Sequence, residues 1–281
     1  VNRRLFLAAG SLAGCFVPVD GRALAADRDA PCVLTPEDEE GPFYIPGEHV
    51  RSAIAEGRAG LPLALDVRVL DAATCAPLRQ AAVDVWQCDA LGVYAGFPET
   101  AQAGPPPGGP PPFGAGPPPN GGPPPNGGPP PGGMPGFPPG GPGRKADLTQ
   151  TFLRGIQLTG AQGAVRFATI FPGFYMGRVN HIHLKVHVPD HTAAHRDDVV
   201  HTGQIFFPES IAASVSAQQP YARHHIRRTA LAQDRVFTQQ NGRSAIASLA
   251  PARIDGRAGY VASITVAVDV NAKAAVRRPA G

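Results

Sequence analysis

Apolar and polar positions alternate over much of the chain with the two-residue period of strands whose two faces meet different surroundings. Leu63-Ala-Leu-Asp-Val-Arg-Val-Leu70 keeps this alternation over most of its length, and Ala81-Ala-Val-Asp-Val-Trp-Gln-Cys88 carries Val83, Val85 and Trp86 in a short apolar run between turn signals. Residues 71–77 read as the turn that joins them. Further strands are predicted at 152–158, 164–170, 181–188, 203–207 and 260–270, separated by turns at 159–163 and at Pro172-Gly173. Only 208–218 and 222–233 are predicted to be helical, as decoration. Many short strands without interleaved helices predict an all-β fold, an antiparallel β-sandwich over residues 63–270. Residues 26–62, broken by Thr35-Pro36 and Gly41-Pro42, are predicted to form an extended N-terminal arm against the sandwich, and 271–281 a tail.

Composition changes this picture at one place. The 281 residues include 34 Gly and 33 Pro, a level that taken over the whole chain would point to disorder. The excess is local, because residues 104–143 hold 19 Pro and 15 Gly in 40 positions. The whole chain is still 43% hydrophobic and 17% charged, enough to bury one sizeable core outside the tract. Glycine does not recur at every third position of the tract, which excludes a collagen helix. Proline favours polyproline II and glycine favours coil, so the tract is predicted to be a disordered loop insertion within the sandwich.

Residues 1–25 read as an export signal, with Arg3 and Arg4, an apolar run from Leu5 to Val19 and the cleavage pattern Ala23-Leu24-Ala25. The run is short for a membrane span. Asn2-Arg-Arg-Leu-Phe-Leu7 resembles a twin-arginine signal, which suits a protein exported after folding around a cofactor. Leu12-Ala13-Gly14-Cys15 also resembles a lipoprotein box, so either cleavage falls near Ala25 or Cys15 is lipidated as an anchor. Both fates place the chain outside the cytoplasm. Arg3, Arg4 and Arg22 against Asp20 account for two of the three net positive charges, so their removal leaves no basic excess for a nucleic-acid or anionic-membrane partner. The acidic run from Glu37 to Glu40 is expected to be a solvated approach segment. Cleavage near Ala25 leaves Cys32, Cys75 and Cys88. Cys75 and Cys88 lie near opposite ends of the predicted 81–88 strand, roughly 20 Å apart at ~3.3 Å per residue and too far to bridge. The expected disulfide is therefore Cys32 with Cys75, with Cys88 a buried thiol beside Trp86.

Chemistry concentrates in Thr169-Ile-Phe-Pro-Gly-Phe-Tyr-Met-Gly-Arg-Val-Asn-His-Ile-His183. On a strand, His181 and His183 project from one face and can share a metal ion. Tyr175, after the Pro172-Gly173 turn, and Tyr94 add two phenols next to turns. On the residues alone, the histidine pair also fits Zn(II) or Fe(II), or an idle metal site on a binding or surface-attachment module.

The order and joint presence of several phrases resemble the intradiol ring-cleavage dioxygenases, and in particular their exported members. These phrases are Leu34-Thr-Pro-Glu37, Glu40-Gly-Pro-Phe-Tyr44, Ala82-Val-Asp-Val-Trp-Gln-Cys-Asp-Ala-Leu-Gly-Val-Tyr94, Phe152-Leu-Arg-Gly-Ile-Gln157, Gly163-Ala-Val-Arg-Phe167, the stretch 169–183 and Gly203-Gln-Ile-Phe-Phe207. The resemblance covers residues 32–270 apart from the Pro/Gly tract, and it implies an all-β sandwich. It further implies one Fe(III) per chain held by Tyr94, Tyr175, His181 and His183, and cleavage of a small aromatic diol with O2 to a cis,cis-muconate-type product. Catechol binding through both oxygens would free one of the two tyrosinates to act as base. Arg178 is implied to stabilise developing negative charge, and Gln204 to orient substrate by hydrogen bonding. Tyr44 is expected either to reach the pocket mouth or to pack on the sandwich. Trp86 is read as core, Tyr221 and Tyr260 as core or strand-edge rings, and His187, His191, His195, His201, His224 and His225 as surface or loop residues.

Overall fold

The computed structural model describes residues 32–47, 49–97, 147–188 and 199–272. The export signal with Cys15, the 104–143 tract, His191, His195 and most of the 271–281 tail lie outside the described residues.

Among the described residues eight strands form two four-stranded sheets. One sheet has the order β4-β1-β8-β7, from Ala164–Ile170, Pro62–Asp71, Arg257–Val268 and Ser248–Ile254. The other has the order β3-β2-β5-β6, from Arg154–Leu158, Ala82–Trp86, His181–His187 and Val199–Phe206. Alternation explains the core between them. Leu63, Leu65, Val67 and Val69 of β1 pack in one buried cluster with Val83 and Val85 of β2 and Ile182, Leu184 and Val186 of β5. Each such aliphatic side chain contributes about 1.5–3 kcal/mol by leaving water.

Between these eight strands the pairing is antiparallel with one exception. β1 runs parallel to β8, with Leu63 opposite Tyr260 and Asp71 opposite Val268. β7 escapes the sequence reading because Pro251 interrupts its pattern. It is an edge strand, where a residue without an N–H is tolerated. β6 begins at Val199, because His201 and Thr202 continue the ladder despite their polarity.

The helix α1 covers Glu209–Ser216, within the predicted 208–218. The predicted helix at 222–233 is not formed. Two single 3-10 turns, Tyr221–Arg223 and Leu231–Gln233, flank an irregular stretch, and α2 spans Arg235–Gln239. A tertiary clamp overrides the local helical preference here. Arg228 Nη1 and Nη2 donate to the Glu209 carboxylate at 2.6 and 3.0 Å, and Glu209 also accepts from Leu231 N at 3.0 Å. No helix among the described residues is long and apolar enough to cross a membrane.

The arm crosses the outer face of the β3-β2-β5-β6 sheet. Asp38 N donates to Thr202 O on edge strand β6 at 3.0 Å, and Arg51 N donates to Ile156 O on the opposite edge strand β3 at 2.9 Å. Earlier in the arm, Thr35 exchanges bonds with Ala267 of β8. The acidic run is therefore not a solvated segment. Asp38 and Glu39 are buried, and Glu40 Oε2 pairs with the Lys185 ammonium at 2.5 Å.

Two of the cysteines also differ from expectation. Cys32 and Cys75 are free thiols, not a bridge. Cys32 Sγ donates to Asp71 O at 3.6 Å, and a hydrogen bond with Cys75 pushes its thiol up to about 11. Cys88 is a buried thiol in the same cluster as Trp86.

Close backbone approach sets the turn that carries the site. A Cβ on Gly173 would stand 2.0 Å from Asp89 O, in the loop that follows β2. Gly173→Ala should therefore cost about 1–3 kcal/mol or more in urea unfolding. Gly160→Ala adds its methyl to open space and should change stability by no more than about 0.5 kcal/mol.

Candidate metal centre

β5 supplies two imidazoles by its period alone. Ile182, Leu184 and Val186 enter the core, so His181 and His183 face the opposite side of the sheet. Tyr94 sits in the loop after β2, where Phe97 N donates to its carbonyl at 2.9 Å. Tyr175 opens a turn closed by Arg178 N on Tyr175 O at 3.0 Å, with Gly177 at φ +77°, the left-handed position such a turn needs. Gln204 lies on β6 directly opposite His183.

These side chains converge. His181 Nε2 is 3.1 Å from His183 Nε2 and 3.5 Å from the Tyr94 hydroxyl. The Tyr175 ring centroid is 5.6 Å from that of His181 and 5.7 Å from that of Tyr94. His181 Nδ1–H donates to Val179 O at 2.6 Å, which leaves the Nε2 lone pair directed at the cluster. Trp86 lies flat on His183, with centroids 4.8 Å apart and planes within 4°, and fixes that ring's orientation. Trp86 is thus buried as expected, but against the site instead of in the inter-sheet core. Phe43 of the arm stacks on Tyr94 at 4.5 Å and meets Tyr175 edge-on at 5.6 Å.

Dryness dominates the electrostatics. Burial, with the Arg178 charge as the next cause, lowers His181 to about 3 and holds it neutral. Burial and the neighbouring His181 lower His183 well below the usual imidazole range. Burial pushes Tyr175 up to about 12 against the pull of Arg178, and raises Tyr94 well above an ordinary phenol. Two neutral imidazoles and two phenols thus meet as buried neighbours. Nitrogen donors held at about 2.0–2.1 Å from one cation lie close to 3 Å apart when adjacent, which matches the Nε2 pair. Among the described residues no three His, Cys, Asp or Glu side chains group as a metal site, and the oxygen donors beside the two histidines are the phenols of Tyr94 and Tyr175.

Arg178 borders the cluster as a buried cation. Its Nη1 donates to the Tyr175 hydroxyl at 3.3 Å, its Nη2 to Gln204 Oε1, and its Nε to Asp234 Oδ2 at 2.9 Å. Gln204 is held in turn by the arm. Its Nε2 donates to Glu39 O at 2.9 Å, and its backbone N to Asp38 Oδ2 at 3.1 Å. Asp234 is fully buried. Burial raises its pKa, but Arg178 together with the other groups around it, the Val179 N–H among them, brings it below the usual carboxylate range.

Tyr94, Tyr175, His181, His183, Arg178 and Gln204 are thus gathered at one place. Tyr44 is set off to one side, tilted against Trp86 at 4.9 Å with the Lys185 ammonium 3.5 Å above its ring. The remaining described histidines stay outside the cluster. His201 is buried, contrary to expectation, and His224 Nε2 donates to Phe174 O at 2.9 Å. Sequence reasoning missed Asp38, Glu39 and Asp234. Only the last carried a local signal, an Asp immediately before the helical run from Arg235.

Two solved structures resemble this chain along its length. An intradiol ring-cleavage dioxygenase from Tetranychus urticae shares 29% identity over 86% of this chain and 97% of its own, with a TM-score of 0.66. A second, described as a dioxygenase, shares 30% identity over 87% of this chain and 98% of its own, with a TM-score of 0.64. No family profile and no curated protein sequence matches.

The buried arm carboxyl gives a pH test. Burial pushes Asp38 up to about 7, against the opposing pull of Gln204 N–H and Arg178. The folded protein then keeps a proton that the unfolded chain loses near pH 4, so this stabilisation is present at low pH and is lost as pH rises through about 7. Asp38→Asn removes the titration. Its stability should gain on the wild type by order of 1–3 kcal/mol between pH 4.5 and 7.5 in urea unfolding, and parallel profiles would refute the assignment.

Proposed function

We infer that this chain, which belongs to the intradiol ring-cleavage dioxygenases, is a ferric enzyme that opens catechol-type rings between the two hydroxyl-bearing carbons. In the reaction that carbon–carbon bond breaks, and both atoms of O2 end in the two new carboxyl groups of a cis,cis-muconate-type product. The convergence of two imidazoles and two phenols beside a buried guanidinium carries the reading. Phenolates are hard, anionic oxygen donors and select a ferric over a softer ion. An Fe(III) held by Tyr94, Tyr175, His181 and His183 would ionise the buried phenols and activate the bound diol towards O2.

The remaining chemistry belongs to the protein. Tyr175 Oη is the phenol oxygen suited to exchange a proton with the diol, because Arg178 Nη1 stands 3.3 Å away to compensate its charge. Arg178 also supplies a permanent cation to oxygen that becomes negative, in a pocket where fixed charges act at full strength. Gln204, braced by Glu39 and Asp38, holds the guanidinium from the other side. Phe43 and Trp86 exclude water and lock the rings of Tyr94 and His183. The paired-arginine segment at 1–25 supports export, periplasmic, extracellular or anchored through Cys15.

Protein loaded with Fe(III) should be reddish from a tyrosinate charge-transfer band, bind about one iron per chain, and change colour with catechol under anaerobic conditions. It should consume O2 with at least one of catechol, protocatechuate and hydroxyquinol. Tyr175→Phe and His183→Ala should lose iron and colour together. Arg178→Gln should keep the colour while kcat falls by about 10²–10³-fold. A protein that stays colourless after ferric loading would overturn the reading.

A further inference from the structure

Arg178 is useful only if its guanidinium is held still, and Asp234 does the holding. The two carboxylate oxygens have separate tasks. Oδ1 accepts from Val236 N at 2.9 Å and Phe237 N at 3.2 Å, closing the amino end of α2. Oδ2 accepts from Arg178 Nε at 2.9 Å and from Val179 N at 2.9 Å. A guanidinium is planar, so anchoring Nε sets the direction of both Nη groups, one to the Tyr175 hydroxyl and one to Gln204. Val179 is held at both of its backbone groups. Its N–H meets Asp234 and its carbonyl takes the Nδ1 proton of His181. One buried oxygen therefore holds both the cation and the residue whose carbonyl orients the first histidine.

Among the described residues Asp234 is also the one carboxylate in ion-pair contact with Arg178. Asp38 spends its Oδ2 on Gln204 N, and Glu39 pairs with Arg235 at 3.4 Å. We propose that Asp234, beyond capping α2, is the positioning residue of the site, fixing Arg178 against Tyr175 for ring cleavage. This rests on the ferric dioxygenase reading above.

Asp234→Asn separates the two tasks. The amide oxygen can still cap α2, while its NH2 faces two N–H donors and cannot hold Arg178 or Val179. In the iron-loaded enzyme this variant should keep its iron and lose about 10–100-fold in kcat with a smaller change in KM. In an Arg178→Gln background the same substitution should cost almost nothing further, because the two residues act as one unit. In metal-free protein, NMR should find the Arg178 Nε–H protected from exchange in the wild type and unprotected in D234N. Wild-type kcat in D234N, losses that multiply in the double variant, or a guanidinium equally protected in both proteins would overturn the proposal. If D234N does not fold, the comparison of R178Q with R178Q/D234N decides, and a further large loss in the double variant counts against it. Absence of ring cleavage by the wild type would instead sink the underlying reading, and the exchange measurement would still report whether Asp234 holds Arg178.

Discussion

Strand β5 is buried on both faces, and only one of them is apolar. Ile182, Leu184 and Val186 enter the core by ordinary hydrophobic burial, while His181, His183 and Lys185 must be covered without water. Uncompensated polar burial is costly, so each of these side chains depends on a partner brought from elsewhere. His181 has the Val179 carbonyl, His183 has the face of Trp86, and Lys185 has Glu40 with the ring of Tyr44. The arm exists in its observed path because this face of the sheet needs a roof.

The roof braces Gln204 through Asp38 and Glu39, and Gln204 in turn meets Arg178. A permanent cation inside a dry pocket is tolerable because Asp234 neutralises it and Tyr175 and Gln204 take its remaining donors. The same dryness keeps both imidazoles neutral and raises both phenols, so the resting cluster is a set of uncharged donors. Such a set is suited to a highly charged ion that ionises the phenols, and the guanidinium is suited to the negative charge that follows. Stability and chemistry are coupled here, since Asp38, Glu39 and Asp234 hold the fold closed and the site in shape together.

The two-residue period of 181–187 was enough to put both histidines on one face, and the Pro172-Gly173 punctuation was enough to mark a turn just before Tyr175. The reading failed where tertiary contacts overrode local preference. Residues 222–233 pattern as a helix, but the ion pair of Arg228 with Glu209 holds them irregular. The acidic run reads as solvent-facing, yet Asp38 reaches Gln204 across 166 positions of chain. Cys32 and Cys75 stand as free thiols where exclusion of a Cys75–Cys88 bridge had left them as the expected pair.

The amino-acid sequence by itself determined the residue types, the alternation that makes sheets, and the turn chemistry, because these are properties of neighbours along the chain. It also carried the ordered phrases shared with the dioxygenases. Only the tertiary structure decided that β1 pairs parallel with β8, that Trp86 belongs to the site, that the acidic arm is buried, and that Asp234 holds Arg178 from 56 residues away. The physical reason is burial. Whether a carboxylate is a solvated charge or the anchor of a buried cation depends on which distant groups displace its water, and no local pattern encodes that.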